Sequence, residues 1–230
     1  MFEPKSRRCI YTNYYEVLKL YKFMPKDSRN FYSEMGVKWL SDRKDPSHTD
    51  KELTYLLGIL GKKYDILDLA CGFGRFSIPL AKKGYRVSGI DITPIFIEHA
   101  MKIADLEGVK AHFSVGDMRN IPYEDCSFDA VICMWNAFSE IVNSDDQIKV
   151  IREIYRVLRK EGSGLIEVRN HRSPNALIEN YIDGVQAMPS FNHTRGTLKK
   201  IAIAAGIENY QVFLDQFGGR KRLFLKFSKI

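Results

Sequence analysis

Residues 64–91 of this 230-residue chain read YDILDLACGFGRFSIPLAKKGYRVSGID, and no other stretch constrains the fold as strongly. Ile66, Leu67 and Leu69 form a short apolar run of the kind that a strand buried on both faces requires. The run stops at Ala70-Cys71-Gly72-Phe73-Gly74, where two glycines allow a sharp turn and leave no Cβ between the main chain and a ligand. A helix is predicted over residues 75–83, with Phe76, Leu80 and Ala81 on its inner side and Gly84 as its end. Val87, Gly89 and Ile90 return the chain to a second parallel strand that finishes on Asp91. Strand, glycine turn, helix and strand in this order make half of a doubly wound α/β fold, whose ligands sit at the carboxyl ends of the strands.

The acids at the two strand ends narrow the ligand. Asp91 follows Gly72 by 91 − 72 = 19 residues, close to the spacing of about 20 at which a carboxylate accepts hydrogen bonds from both hydroxyls of a ribose. A dinucleotide asks for G-x-G-x-x-G with its pyrophosphate on the helix N-terminus. Here the third position is Ser77, and Asp68 at the end of the first strand would repel a pyrophosphate and attract an ammonium group. The pattern Asp68-x-x-x-Gly72-x-Gly74 followed by Asp91 resembles the class I S-adenosylmethionine-dependent methyltransferases. The resemblance implies S-adenosylmethionine as cofactor and S-adenosylhomocysteine as its product. It implies cofactor contacts from Asp68, Ala70, Cys71, Gly72, Gly74, Arg75, Asp91 and Ile92. After the third strand, Asp117 would accept from the adenine amino group and Met118 would pack on the ring; Met134 and Trp135, after the fourth, would lie near the methyl group.

The remaining chain extends the same alternation. Thr93-Pro94 opens a helix that Gly108 closes, residues 111–115 and 128–134 are strands, and Ser144-Asp145-Asp146-Gln147 has the form of a capping box for the next helix. Gly162-Ser163-Gly164 is expected to turn into a fifth strand over residues 165–168. A helix over residues 197–205 and two alternating strands joined by Gly218-Gly219 complete the pattern. The expected fold is therefore α/β, a doubly wound Rossmann-like, mostly parallel seven-stranded sheet with a C-terminal antiparallel hairpin. Residues 50–230 form the domain, with an insertion at about 169–193. Residues 1–49 carry Tyr14, Tyr15, Tyr21, Tyr32 and Trp39 ahead of the first strand and are expected to form a helical cap over the cleft.

Composition sets broad limits. A hydrophobic fraction of 45% and a charged fraction of 27% suit a soluble globular protein. Cys9, Cys71, Cys126 and Cys133 are scattered with no C-x-x-C pair, so neither a disulfide framework nor a zinc site is expected, and a reducing cytoplasm is the natural setting. Residues 1–17 lack an apolar signal-peptide core, and no apolar run reaches membrane-spanning length. The net charge of +7 is spread in small groups, although Arg152, Arg156 and Lys160 are expected to share a helix face at i, i+4 spacing.

A sulfonium methyl is already activated, so the protein mainly has to aim the acceptor. Asn136 after the fourth strand, together with His171 and His193, are the catalytic candidates; Asn170 and His171 just past strand five resemble acceptor-side positions in small-molecule methyltransferases. Residues 135–138 read Trp-Asn-Ala-Phe rather than the Pro-Pro-aromatic turn of base amino-methyltransferases, and they lack the acids of a metal-dependent catechol enzyme. The expectation is metal-free transfer to an N or O atom of a small-molecule acceptor, by a monomer or homodimer. An RNA methyltransferase using the basic surface is the alternative.

Overall fold

In the computed structural model, which describes residues 28–42, 46–61, 65–170, 177–178, 181–182, 185–186 and 189–230, the chain runs as follows. Helices α1 (Ser28–Ser41) and α2 (Pro46–Leu60) precede β1 (Asp65–Leu69), α3 (Ser77–Lys82), β2 (Arg86–Asp91), α4 (Pro94–Leu106), β3 (Ala111–Val115) and β4 (Phe128–Cys133). A short 3-10 turn (Ala137–Glu140), α5 (Ser144–Val157) and β5 (Leu158–Arg169) follow. Four two-residue strands, β6 (Leu177–Ile178), β7 (Tyr181–Ile182), β8 (Val185–Gln186) and β9 (Ser190–Phe191), lie in the inserted region, before α6 (Arg195–Ala204), β10 (Tyr210–Phe217) and β11 (Arg220–Ser228).

Seven strands form one sheet in the order β10-β11-β5-β4-β1-β2-β3. The first five strands pair in parallel, and β11 runs antiparallel between β5 and β10. The apolar run after Tyr64 becomes the central strand because both its faces are covered. Ile66 joins Leu56, Leu60 and Phe76 beneath α2 and α3, whereas Leu67 and Leu69 join Val150, Ile154 and Leu198 beneath α5 and α6. Gly89 is required by a close approach, since a Cβ there would stand 2.8 Å from Cys71 Sγ and 2.9 Å from the Phe113 ring.

The register positions the site. Leu69 pairs with Ile90 on one side and with Cys133 on the other, so Ala70, Asp91 and Met134 carry their chains off the sheet at the same edge. The topological switch lies there, with β1 flanked by β2 and β4, and ligands of open α/β sheets bind at such a crevice.

Several local expectations need correction. The first helix begins at Ser77 rather than residue 75, because the chain is still turning through residues 72–76. Asn143, not Ser144, caps α5: its side chain accepts from the N–H groups of Asp145 and Asp146, and Gln147 donates to the Ile141 carbonyl instead of closing a capping box. Strand five begins at Leu158, directly after α5, so Gly162-Ser163-Gly164 lies inside it. Lys160 therefore stands on a strand and not on the helix face of Arg152 and Arg156. Arg156 itself donates to Glu153, Asp125 and the carbonyls of Ile121 and Tyr123, which removes the basic stripe. The tyrosines at 14, 15 and 21 lie outside the described residues, but α1 places Tyr32 5.7 Å from Phe96 of α4, ring centre to ring centre.

Candidate functional site

The turn after β1 is tied to the end of β2. Ala70 and Gly72 adopt left-handed backbone angles, φ 54° and 55°, and Cys71 N–H donates to the Ile90 carbonyl at 3.0 Å. Gly72 N–H donates to Asp91 Oδ2 at 2.9 Å, and Thr93 N–H to Oδ1 at 2.8 Å. These two bonds fix the carboxylate's plane while leaving lone pairs on each oxygen. Burial pushes the Asp91 carboxyl upward in pKa, and the two backbone donors oppose that rise. Gly72 N–H, committed to Asp91, is not available to cradle a phosphate.

A cavity of about 360 Å³ opens above this turn, and Ala70, Gly72, Asp91 and Ile92 line it. Asp117 and Met118 lie on its wall after β3, and Met134, Trp135 and Asn136 on its wall after β4. Asp117 is gripped by Arg119, whose Nε and Nη2 donate to its carboxylate while Nη1 reaches Asp146. That pairing, with burial working against it, lowers the Asp117 pKa. A ribose, an adenine and an amino-acid tail fit this donor set: a fixed carboxylate for a diol, a second carboxylate and a thioether for a base, and open main chain at Gly72.

Four expected cofactor contacts do not reach the cavity wall. Cys71 and Gly74 are inside the turn, where a Cβ on Gly74 would meet Ile78 at 2.8 Å. Asp68 lies buried beneath it, 2% exposed, with Ser77 Oγ donating to its Oδ2 at 2.6 Å. Burial raises its pKa to about 7, with Ser77 opposing and the nearby charge of Asp91 adding to the rise. Between about pH 4 and pH 7 the unfolded chain has lost this proton while the folded chain keeps it. The associated stability is thus fully present below about pH 4 and is lost as pH rises through the folded value. Asp68→Asn is expected to flatten that slope, gaining up to about 4 kcal/mol relative to the parent protein by pH 8. Urea denaturation of the ligand-free protein across this range measures it, and parallel pH profiles for the two proteins would show that Asp68 ionises normally.

Arg75, the fourth, turns behind the wall. Its guanidinium pairs with Glu52, donates to Thr49 Oγ1 at 2.9 Å and lies 3.9 Å over the Trp135 ring. Trp135 Nε1 donates to the same Glu52 carboxylate at 2.9 Å. Trp135 and Asn136 both have left-handed backbone angles, φ 61° and 65°, a conformation that non-glycine residues hold only when their surroundings over-determine it. Glu52 and Arg75 brace the first residue. For the second, Asn136 N–H donates to fully buried Glu167 at 3.2 Å, and Asn136 Oδ1 accepts from Ser139 Oγ at 2.9 Å and from Arg169 N–H at 2.8 Å. Glu167 is in turn 3.1 Å from Arg222 of β11.

The histidines do not gather with Asn136. His193 is fully buried, packed 5.2 Å from Phe138 and 4.8 Å from Phe191 between ring centres, and is absent from the cavity wall; it is a packing residue. His171 lies outside the described residues, and Asn170 is exposed and off the wall. Three groups that the sequence reading did not single out as site residues, Tyr32, Glu140 and Arg169, line the cavity beside Asn136. Tyr32 Oη donates to Glu140 Oε1 at 2.5 Å, and burial holds its hydroxyl protonated. Arg169 is the last residue of β5, the counterpart of Asp91 on β2, and that strand-end position was the available signal.

Residues 66–162 match a family described as "Methyltransferase domain". Norajmaline N-methyltransferase of Rauvolfia serpentina is 35% identical over 120 residues, covering 50% of this chain and 40% of that protein. Glycine/sarcosine N-methyltransferase of Parasynechococcus marenigrum is 32% identical over 115 residues, covering 50% and 40%. The chain thus spans about half the length, or less, of the curated relatives it matches. Among solved structures, the 1,6-didemethyltoxoflavin-N1-methyltransferase of Burkholderia thailandensis superimposes with a TM-score of 0.69 at 17% identity, over 97% of this chain and 93% of that one. The matched segment contains β1 to β4, the glycine turn and Asp91, and the fold around them is the one those structures share. On these grounds residues 66–162 are similar to a methyltransferase domain, and the sheet around them has the fold of a methyltransferase of known structure.

Proposed function

We propose that the protein transfers a methyl group from S-adenosylmethionine to a nitrogen or oxygen of a small-molecule acceptor. The observation that carries this reading is the Asp91 carboxylate, fixed by two backbone N–H groups on the wall of a cavity whose far side is built from Tyr32, Asn136, Glu140 and Arg169. Asp91 would hold the ribose, Asp117 and Met118 the adenine, and the open main chain at Ala70 and Gly72 the methionine portion. When bound, the cofactor supplies a methyl group already activated on its sulfonium. The chain's own residues then have to orient the acceptor and exclude water, and holding two reactants in line contributes about 7–11 kcal/mol. Residues 1–49 act as the cap in this reading, supported by α1, whose Phe31, Tyr32, Trp39 and Leu40 line the cavity. The N-methyltransferases among the relatives and structural neighbours support a small acceptor, and the dispersal of Arg152, Arg156 and Lys160 speaks against an RNA groove.

Calorimetry with S-adenosylhomocysteine and with NAD tests the cofactor; binding of NAD alone would end the proposal. Incubation with methyl-labelled cofactor and small-molecule or RNA extracts tests the acceptor, and label confined to RNA would reverse the choice. Transfer is expected to survive exhaustive chelation, because the Asn136 amide oxygen already accepts two hydrogen bonds and a hard divalent cation wants several oxygen ligands. Loss in EDTA with rescue by magnesium would contradict that.

A further inference from the structure

Among the described residues the cavity wall carries six charged side chains, and five of them are engaged. Asp117, Arg119 and Asp146 bond one another, Asp91 holds two backbone N–H groups, and Glu140 accepts from Tyr32. The sixth is Arg169. Its backbone N–H is held by Asn136, which fixes where the residue leaves β5. Among the described residues, however, its guanidinium donates no hydrogen bond and forms no ion pair. The carboxylate whose charge acts on it is that of Glu167, itself paired with Arg222. Two further arginines, Arg220 and Arg222, press on it from the neighbouring strand and add positive potential rather than neutralising it. A guanidinium presents five donors in a planar fork that matches a carboxylate with two parallel bonds. Exposed to solvent on a cavity wall and without such a partner among the described residues, it is available to an anionic group.

Across the same cavity Tyr32 links the two poles. It donates to Glu140 and is close enough to Arg169 for each to influence the other's ionisation. Glu140 and Arg169 thus put an anionic and a cationic group on the wall of the acceptor space, beside Tyr32 and Asn136.

We infer that Arg169 determines acceptor specificity by binding a carboxylate on the methyl acceptor, so that the substrate class is a small amine-bearing acid whose nitrogen lies toward Glu140 and Tyr32. This deepens the proposed function and rests on it. Glu140, whose carboxylate accepts from Tyr32, attracts the ammonium form of the amine by its charge. The acceptor nitrogen must be neutral to attack, so its ammonium proton leaves to solvent or to a carboxylate before the N–C bond forms and the C–S bond breaks.

The test uses the full chain saturated with S-adenosylhomocysteine and titrated, by calorimetry, with matched probes: acetate against acetamide, and glycine against glycinamide. The acids are expected to bind about tenfold or more tightly than the amides, the worth of one charge-assisted contact. Arg169→Met is expected to abolish that difference, and Arg169→Lys to restore part of it, while affinity for S-adenosylhomocysteine stays within about twofold in both. Equal binding of acids and amides, or no binding of either acid to the saturated protein, would overturn the inference and leave the cofactor reading intact. An Arg169→Met variant that loses S-adenosylhomocysteine affinity as strongly would also overturn it, by assigning the guanidinium to the cofactor's own carboxylate. If the parent protein does not bind S-adenosylhomocysteine at all, the proposed function itself fails.

Discussion

Replacing Asp91 by alanine is expected to weaken S-adenosylhomocysteine binding by about 2–4 kcal/mol, a loss of roughly 30- to 900-fold in affinity. Two charge-assisted hydrogen bonds to the ribose hydroxyls account for this range. The same substitution orphans the Gly72 and Thr93 N–H groups, and each buried donor without a partner costs about 1–3 kcal/mol. Stability must therefore be measured beside affinity. Asp91→Asn separates the two effects, because its single amide oxygen satisfies one of the two backbone donors while its NH₂ opposes the other. Calorimetry at a temperature where both variants remain folded decides the point. Unchanged affinity in either variant would remove Asp91 from the cofactor site and transfer the ribose to another acceptor.

The second large effect is expected behind the wall. Glu52→Ala should destabilise the fold by about 3–5 kcal/mol, the cost of leaving one member of a buried ion pair uncompensated. Glu52 is 4% exposed and Arg75 9%. Burial already lowers the Arg75 pKa to about 10, against the opposing pull of Glu52. Without Glu52 the guanidinium would keep its bonds to Thr49 Oγ1 but lose its paired carboxylate, with the Phe76 and Trp135 rings beside it. Trp135 would also lose the acceptor for its Nε1, so cofactor affinity should fall even though Glu52 touches no ligand. Paired replacement by Glu52→Leu and Arg75→Met removes both charges and should recover most of the lost stability. Urea denaturation of the two single variants and the double variant closes the cycle. A loss below about 1 kcal/mol in Glu52→Ala would mean that water reaches Arg75 and screens it.

What could be read from residues alone was whatever rests on period and on strand ends. The apolar run at residues 66–69, the glycine turn and Asp91 define three neighbouring positions at one sheet edge, and the structure assembles them there. The hairpin at Gly218-Gly219 followed from alternation and a turn, whereas the pairing of its second strand with β5 had no local signal. The direction in which a side chain leaves its turn was not legible. Arg75 stands next to the glycines in sequence, but its partner Glu52 lies 23 residues upstream on a helix, and no local pattern connects the two. A one-residue shift was enough to choose Ser144 over Asn143 as a cap, and Asn170 over Arg169 at the cavity. His193 was selected for its chemistry; its burial between two phenylalanines depends on β9 meeting the turn after β4, a contact between distant segments.

The place of β11 has a consequence for how this protein is made. It follows every other strand of the sheet in sequence, yet it lies inside the sheet, between β5 and β10. Until it emerges from a ribosome, β5 presents a bare edge to other nascent chains, and Glu167 has no Arg222 beside it. Gly218, in the turn just before β11, is where Glu52 packs, so closely that a Cβ there would stand 2.8 Å from the Glu52 Cγ. The strained pair Trp135 and Asn136 thus gains its backing from residues translated more than 80 positions later.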